Sequence, residues 1–295
     1  MANNLRHFLR MTDVTSPELR GIIMSAARLK HVPRRQQLNL MPGITMAMVF
    51  EKPSLRTHTS FETGMTQLGG HGMYLGPDNI GLGQREPIMD VSRVLSSMAD
   101  IIIARVFKHS TVAELAAHST VPVINALCDL EHPCQAVADM LTLYELKGRL
   151  DNTLTLAFVG DGNNNVTHSL ALACAQLGVN FAVASPAQHA MDPDVRDLAT
   201  AIANEHGSTI METTDANAAV AGADAVYTDT FVSMGQEDEM EARLKEFDGY
   251  QVTSAMMAHA KEDAIFMHDM PGTGGFVVVR RQPCRYIEDP DSCHC

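Results

Sequence analysis

Residues 44–68 read ITMAMVFEKPSLRTHTSFETGMTQL, and their pattern decides the fold. Ile44 to Phe50 is a short, almost wholly apolar run, the composition of a strand covered on both faces in a parallel sheet. Glu51, Lys52 and Pro53 break that run, Ser54 stands where a helix N-cap belongs, and Phe61, Met65 and Leu68 follow at i, i+4 and i+7 of an amphipathic helix. The opening turn of that helix carries Ser54, Arg56, Thr57, His58 and Thr59. Free backbone N–H groups, hydroxyls and a guanidinium therefore converge at the positive end of the helix dipole, which is a place for a phosphate. A capped helix with solvated polar side chains is the plainer account, but an arginine amid four hydroxyl or imidazole groups favours the anion.

Outward from this stretch the chain keeps alternating. A helix from Ser16 to Leu29, capped by Ser16 with Pro17 at its first position, precedes it, and Arg34 and Arg35 read as a solvated face. After it come a strand at His71 to Leu75, a glycine-rich loop GPDNIGLGQRE, a helix with Ile88, Val91, Leu95 and Met98 at helical spacing, and a buried strand in IIIARVF (Ile101 to Phe107). Helix Thr111 to Ser119, strand Val121 to Leu127 and helix Ala136 to Leu146 complete the first half. The polar run Lys147 to Asn152 marks a domain boundary, giving domains 1–147 and 148–295. Beyond it the spacing predicts strand Thr153 to Val159, helix Asn164 to Leu177, strand Asn180 to Ala184, helix Pro193 to Glu205, strand Thr209 to Glu212, a short helix and strand Ala225 to Tyr227. Strands alternating with helices predict an α/β fold of two doubly wound domains, each a parallel sheet flanked by helices, with right-handed crossovers.

The 295 residues suffice for two cores, and a chain 45% hydrophobic and 19% charged has globular composition. A formal charge of −13 disfavours nucleic acid and anionic membranes as partners, so an anionic substrate needs arginines to supply a local field against the global one. No apolar run reaches the ~20 residues that cross a bilayer, and MANNLRHFLRM has no signal-peptide core, so a cytoplasmic location is expected. The six cysteines are scattered, as in a reducing compartment. Cys284, Cys293, His294 and Cys295 do not match common zinc spacings, and no metal is expected.

Several residues outside the first motif carry chemistry. Arg105 falls near the carboxyl end of its strand, where open α/β sheets bind ligands, although an arginine so placed also serves surface ion pairs. His132, Pro133, Cys134 and Gln135 follow a strand and open a helix. The imidazole and carboxamide can donate hydrogen bonds to a carbonyl oxygen under attack, or the histidine can simply cap the helix. A nucleophilic Cys134 lacks an evident base. FVGDGNNNVTHS follows a strand, yet Asn165 stands where the third glycine of a dinucleotide fingerprint belongs and FAVASP lacks the acidic residue, so nicotinamide binding loses. In TDTFVSMGQEDE, Asp229 at a strand end can pair with an ammonium or cap a helix.

The string FEKPSLRTHTSFETGMTQLGGHGMYL resembles the carbamoyl-phosphate signature of the aspartate and ornithine carbamoyltransferases, SxRTR followed by SFE, with His58 at the second arginine. HPCQ after VPVINAL is similar to the family's second signature. GDGNNN with HS resembles the opening of the ornithine-binding domain, and the SMG loop belongs to the ornithine type, since aspartate enzymes lack it. The resemblance implies a cofactor-free transferase acting on carbamoyl phosphate and the side-chain amine of ornithine. Ser54, Leu55, Arg56 and Thr57 would hold the phosphate, and Arg105, His132 and Gln135 the carbamoyl group. Asn165, Asp229, Ser233 and Met234 would orient the amino acid. It also implies a homotrimer, or a multiple of trimers, in which Gln84 reaches a neighbour's phosphate. One departure stands out: the family's HCLP reads HDMP, placing Asp269 at the cysteine, with no arginine close behind and only Arg280 and Arg281 further on. An aspartate there pairs with the incoming ammonium or acts as its base. It also keeps open a carbamoyltransferase for another amine, or a non-catalytic paralogue.

Overall fold

The computed structural model describes residues 5–33, 36, 38–83, 85–231, 243 and 245–270. Gln84, Ser233, Met234, Arg34, Arg35, Arg280, Arg281 and the three C-terminal cysteines lie outside them. The chain forms two compact units, Met1–Val137 and Ala138–Cys295.

In the first unit, helix α1 (Ser16–Lys30) leads to strand β1 (Thr45–Phe50), helix α2 (Leu55–Leu68) and strand β2 (His71–Leu75). A one-turn helix α3 (Pro77–Ile80), helix α4 (Ile88–Ser96), strand β3 (Ile101–Arg105), helix α5 (His109–His118) and strand β4 (Val123–Leu127) follow, and helix α6 (Pro133–Lys147) begins in this unit and continues into the second. The sheet is parallel in the order β2-β1-β3-β4. Because side chains alternate across a strand, Ala47 and Val49 join one core with Val91, Leu95, Val112 and Leu115, while Met46, Met48 and Phe50 join another with Met65 and Ile103. Both faces of β1 are thus covered, as its apolar run requires.

The second unit adds strand β5 (Thr155–Val159), helix α7 (Asn165–Leu177), strand β6 (Asn180–Ala184), helix α8 (Pro193–His206), strand β7 (Ile210–Thr213), helix α9 (Ala216–Val220), strand β8 (Ala225–Thr228), helix α10 (Ser254–Met257) and strand β9 (Ile265–His268). Its sheet is parallel in the order β7-β6-β5-β8-β9. Helix α7 is buried at every position from Val166 to Leu177, which its small apolar residues permit.

Three local expectations shift. Helix α1 is capped by Thr15, whose side chain forms a capping box with Glu18, and Ser16 is its first residue. The glycine-rich loop contains α3, started by Pro77. Strand β9 was not anticipated: four residues flanked by charged turns carry little periodic signal, and its place comes from pairing with β8.

Gly69 ends α2 at φ +90°, where an added Cβ would stand 2.9 Å from the Leu38 carbonyl oxygen. Left-handed backbone costs an L-residue about 1–2 kcal/mol. Gly69→Ala is therefore expected to lower the unfolding midpoint in urea without changing the far-UV spectrum of the folded protein, and an unchanged midpoint would contradict this account of the cap.

Candidate functional site

At the carboxyl end of the first sheet, β1 and β3 end level with each other, with Phe50 opposite Arg105. The next residues stitch the two ends together. Glu51 N–H donates to the Arg105 carbonyl at 2.9 Å, and the Glu51 carboxylate accepts from Phe107 N–H at 2.6 Å. Ser54 then caps α2, its Oγ accepting from Thr57 N–H at 3.4 Å and lying 2.9 Å from Thr57 Oγ1. Arg105 Nη1 donates to the same Thr57 Oγ1 at 3.1 Å. The helix start and the end of β3 therefore meet through one hydroxyl at a helix N-terminus.

Cationic groups gather at this corner beside the Glu51 carboxylate. Lys52 is half-buried with its ammonium 5.1 Å from the centroid of the Phe107 ring. Its burial and then the nearby Arg105 charge lower its pKa. His132 is buried just before α6, and burial, followed by Arg105 and Lys52, pulls its pKa down to about 3. The imidazole is therefore neutral at ordinary pH and can donate one hydrogen bond without bringing a charge. Pro133 opens α6, the His132 carbonyl accepts from Gln135 N–H and Ala136 N–H, and the half-buried Gln135 side chain sits on that first turn.

The predicted anion residues do not all converge. Ser54, Thr57 and Arg105 are joined, and Arg105 and His132 are within electrostatic reach of each other. Leu55 and Arg56 are exposed on the same turn. His58 turns away: its ring stacks on Tyr74 at 4.0 Å, meets Phe50 edge-on, and lies 2.9 Å from Glu62. It props α2 against the sheet. Cys134 donates its thiol to the Asn125 carbonyl at 3.4 Å, and burial pushes its pKa up to about 12, which leaves no thiolate for nucleophilic attack. Lys52, read from the sequence only as a strand breaker, is the residue that reading missed. Its signal was a lysine directly ahead of the capping turn.

The second unit brings together residues from the ends of β5, β8 and β9. Asn164 caps α7 by accepting from Thr167 N–H at 2.8 Å, so half-buried Asn165 occupies the first helical position. Strands β8 and β9 pair with Thr228 opposite His268, which sets Asp229 beside Asp269 one residue later. Ligand-type atoms of Asp229, His268 and Asp269 lie within 4.8 Å of one another. Asp229 Oδ1 accepts from Thr230 N–H at 2.6 Å. Burial first, then the charge and hydrogen bonding of Asp269, hold the Asp229 carboxyl well above the usual carboxylate range. His268 Nδ1 accepts from Met270 N–H at 2.9 Å, which assigns any ring proton of the neutral form to Nε2. Below them, the buried Tyr227 hydroxyl donates to Asp139 at 3.1 Å. Crowded, desolvated carboxylates of this kind favour a cationic ligand or a shared proton.

Comparison with known proteins agrees with this two-part arrangement. Residues 6–145 match the carbamoyl-P binding domain of aspartate/ornithine carbamoyltransferase, and residues 152–280 match its Asp/Orn binding domain. A protein of Anoxybacillus flavithermus named ornithine carbamoyltransferase is 45% identical over 271 residues, covering 92% of this chain and 86% of that one. One of Haloquadratum walsbyi with the same name is 46% identical over 269 residues, covering 91% and 86%. The solved structure of ornithine carbamoyltransferase from Pyrococcus furiosus superimposes with a TM-score of 0.90 at 41% identity, covering 97% of this chain and 90% of that one. On sequence and fold together, the chain belongs to the aspartate/ornithine carbamoyltransferase family.

Proposed function

We propose that this protein transfers the carbamoyl group of carbamoyl phosphate to the side-chain amine of L-ornithine, giving L-citrulline and phosphate. The observation that carries the proposal is the Ser54–Thr57–Arg105 corner with a neutral His132 beside it, in a chain whose relatives over nine-tenths of its length are named for this reaction. The two family matches leave residues 146–151 between them, which supports placing the boundary between the two binding functions after Lys147.

Ser54, Leu55, Arg56 and Thr57 hold the phosphate through backbone N–H groups, hydroxyls and the guanidinium, with Gln84 added from a neighbouring subunit of a trimer. Arg105, His132 and Gln135 donate to the carbamoyl oxygen as negative charge builds on it. Asn165, Asp229, Ser233 and Met234 orient the amino acid. The unprotonated amine attacks the carbonyl carbon, a tetrahedral intermediate forms, and the bond to the phosphate oxygen breaks as phosphate leaves. The reaction uses a leaving group already activated as a mixed anhydride, so it asks for no metal or organic cofactor. Asp269, beside Asp229, receives the ammonium and takes its proton. We place the enzyme in the cytoplasm; no helix among the described residues is long and apolar enough to cross a membrane.

Phosphate release from carbamoyl phosphate plus ornithine tests the reading. The wild type should release phosphate and citrulline in equal amounts, and Arg56→Ala should be slower by about tenfold or more at limiting carbamoyl phosphate, the worth of a hydrogen bond to a charged group. Equal rates overturn the assignment of Arg56, and no citrulline beside product from another amine in a panel overturns ornithine. Because His132 stays neutral down to about pH 3, the fall in rate on acidification should follow the amine and the aspartate pair, and His132→Asn should leave the position of that fall unchanged.

The aspartate pair also predicts a stability effect. A raised folded-state value means that the folded chain holds the Asp229 proton more tightly than the unfolded chain does. Stability is therefore lost as pH climbs from the usual carboxylate range towards that raised value. Asp269→Asn removes the neighbouring charge. It should raise the melting temperature of the ligand-free protein by about 2–4 °C near neutral pH, while slowing turnover of ornithine by about a hundredfold or more. A lower melting temperature with undiminished turnover would remove Asp269 from both roles.

A further inference from the structure

Three stretches carry the amino-acid side in the proposed function: the turn that opens α7, the end of β8, and the segment that follows Phe231. Arg243 bonds to the first and to Phe231, three residues past the end of β8, and in sequence follows residues 232–242, which lie outside the described ones. Its Nη2 makes an ion pair with the Asp161 carboxylate, and its Nε donates to the Phe231 carbonyl at 2.7 Å. The guanidinium lies 5.4 Å from the centroid of the Phe247 ring, and that ring stacks flat on Phe231 at 4.9 Å. Arg243 and Asp161 are each only 7% exposed.

Asp161 is itself fastened to the turn it starts. Its Oδ1 accepts from Asn163 N–H at 2.9 Å, and its carbonyl accepts from the Thr167 hydroxyl at 2.8 Å, two residues along α7 from Asn165. The turn also has no room to slide. A Cβ added at Gly162 would come within 2.7 Å of the His189 carbonyl oxygen and of Ser185 Oγ. Arg243 therefore joins the turn that leads to Asn165 and the segment that carries Asp229.

A buried ion pair adds little net stability relative to well-packed apolar groups, because desolvating both charges offsets their attraction. What this one supplies is a fixed separation. We propose that Arg243 is a positioning residue for the amino-acid substrate, setting the spacing between the Asn165 turn and the Asp229–Phe231 strand end. The inference rests on the ornithine reading and deepens it. It assigns amino-acid affinity to a side chain that contacts neither reactant.

The test compares wild type, Arg243→Lys, Arg243→Gln and Lys261→Gln. The last breaks a different ion pair of the same unit, Lys261 with Asp224 at 2.8 Å, and controls for the general loss of such a pair. KM is measured for ornithine and for carbamoyl phosphate. Calorimetry in the presence of carbamoyl phosphate gives the affinity for L-norvaline, which keeps the α-amino and α-carboxylate groups and lacks the attacking amine. Arg243→Gln should raise the ornithine KM and weaken norvaline by about 10- to 100-fold while the carbamoyl phosphate KM stays within about twofold, the scale on which remote misplacement acts. Arg243→Lys should fall between this variant and wild type, and Lys261→Gln should match wild type. Equal changes in both KM values, the same split in Lys261→Gln, or unchanged ornithine and norvaline constants overturn the proposal. If Arg243→Gln does not fold, Arg243→Lys carries the test on the same split. A wild type that makes no citrulline yet binds norvaline overturns the ornithine reading alone, and the norvaline arm still decides Arg243. A wild type that does neither overturns both.

Discussion

The level ending of β1 and β3 is the constraint on which the anion corner depends. Parallel strands paired with Phe50 opposite Arg105 bring the start of α2 to the guanidinium of β3, and the Arg105 to Thr57 hydrogen bond records the result. A one-residue slip in that register would send Arg105 to the other face of the sheet. The apolar residues on both faces of β1 prevent the slip, because each face has its own core to fill. Packing energy spent far from the ligand thus decides where a charge stands.

The second unit repeats the device with the opposite sign. Pairing of Thr228 with His268 forces two carboxylates together where burial already disfavours their charge. Left alone, such an arrangement opposes folding. It persists because the rest of the sheet over-determines it, and it is relieved when a cation or a proton arrives. Groups held in costly surroundings by a well-packed scaffold are a common mark of functional sites.

Much of this was legible in the sequence because it is local. Apolar runs, a serine cap and a proline at a helix start operate over a few residues, so the strand-to-helix handover at Ser54 and the opening of α6 at Pro133 could be read directly. The quoted motifs carried the family. What escaped depends on partners distant along the chain. His58 looked like part of the anion turn, but its neighbours Tyr74 and Phe50 come from two strands, and stacking on them wins over facing the ligand. Arg243 finds Asp161 82 positions away, and no spacing rule announces that. Strand β9 exists because β8 offers it an edge. The nearness of Asp269 to Asp229 follows from that pairing and from nothing in HDMP itself.

The buried thiols have a practical consequence. Among the described residues Cys128, Cys134 and Cys174 form no disulfide, and burial raises the pKa of all three. Peroxides and alkylating reagents act on exposed thiolates, so these three sulfurs are slow targets in the folded chain. Iodoacetamide labelling at any of them would therefore serve as a clock for opening of the core around it.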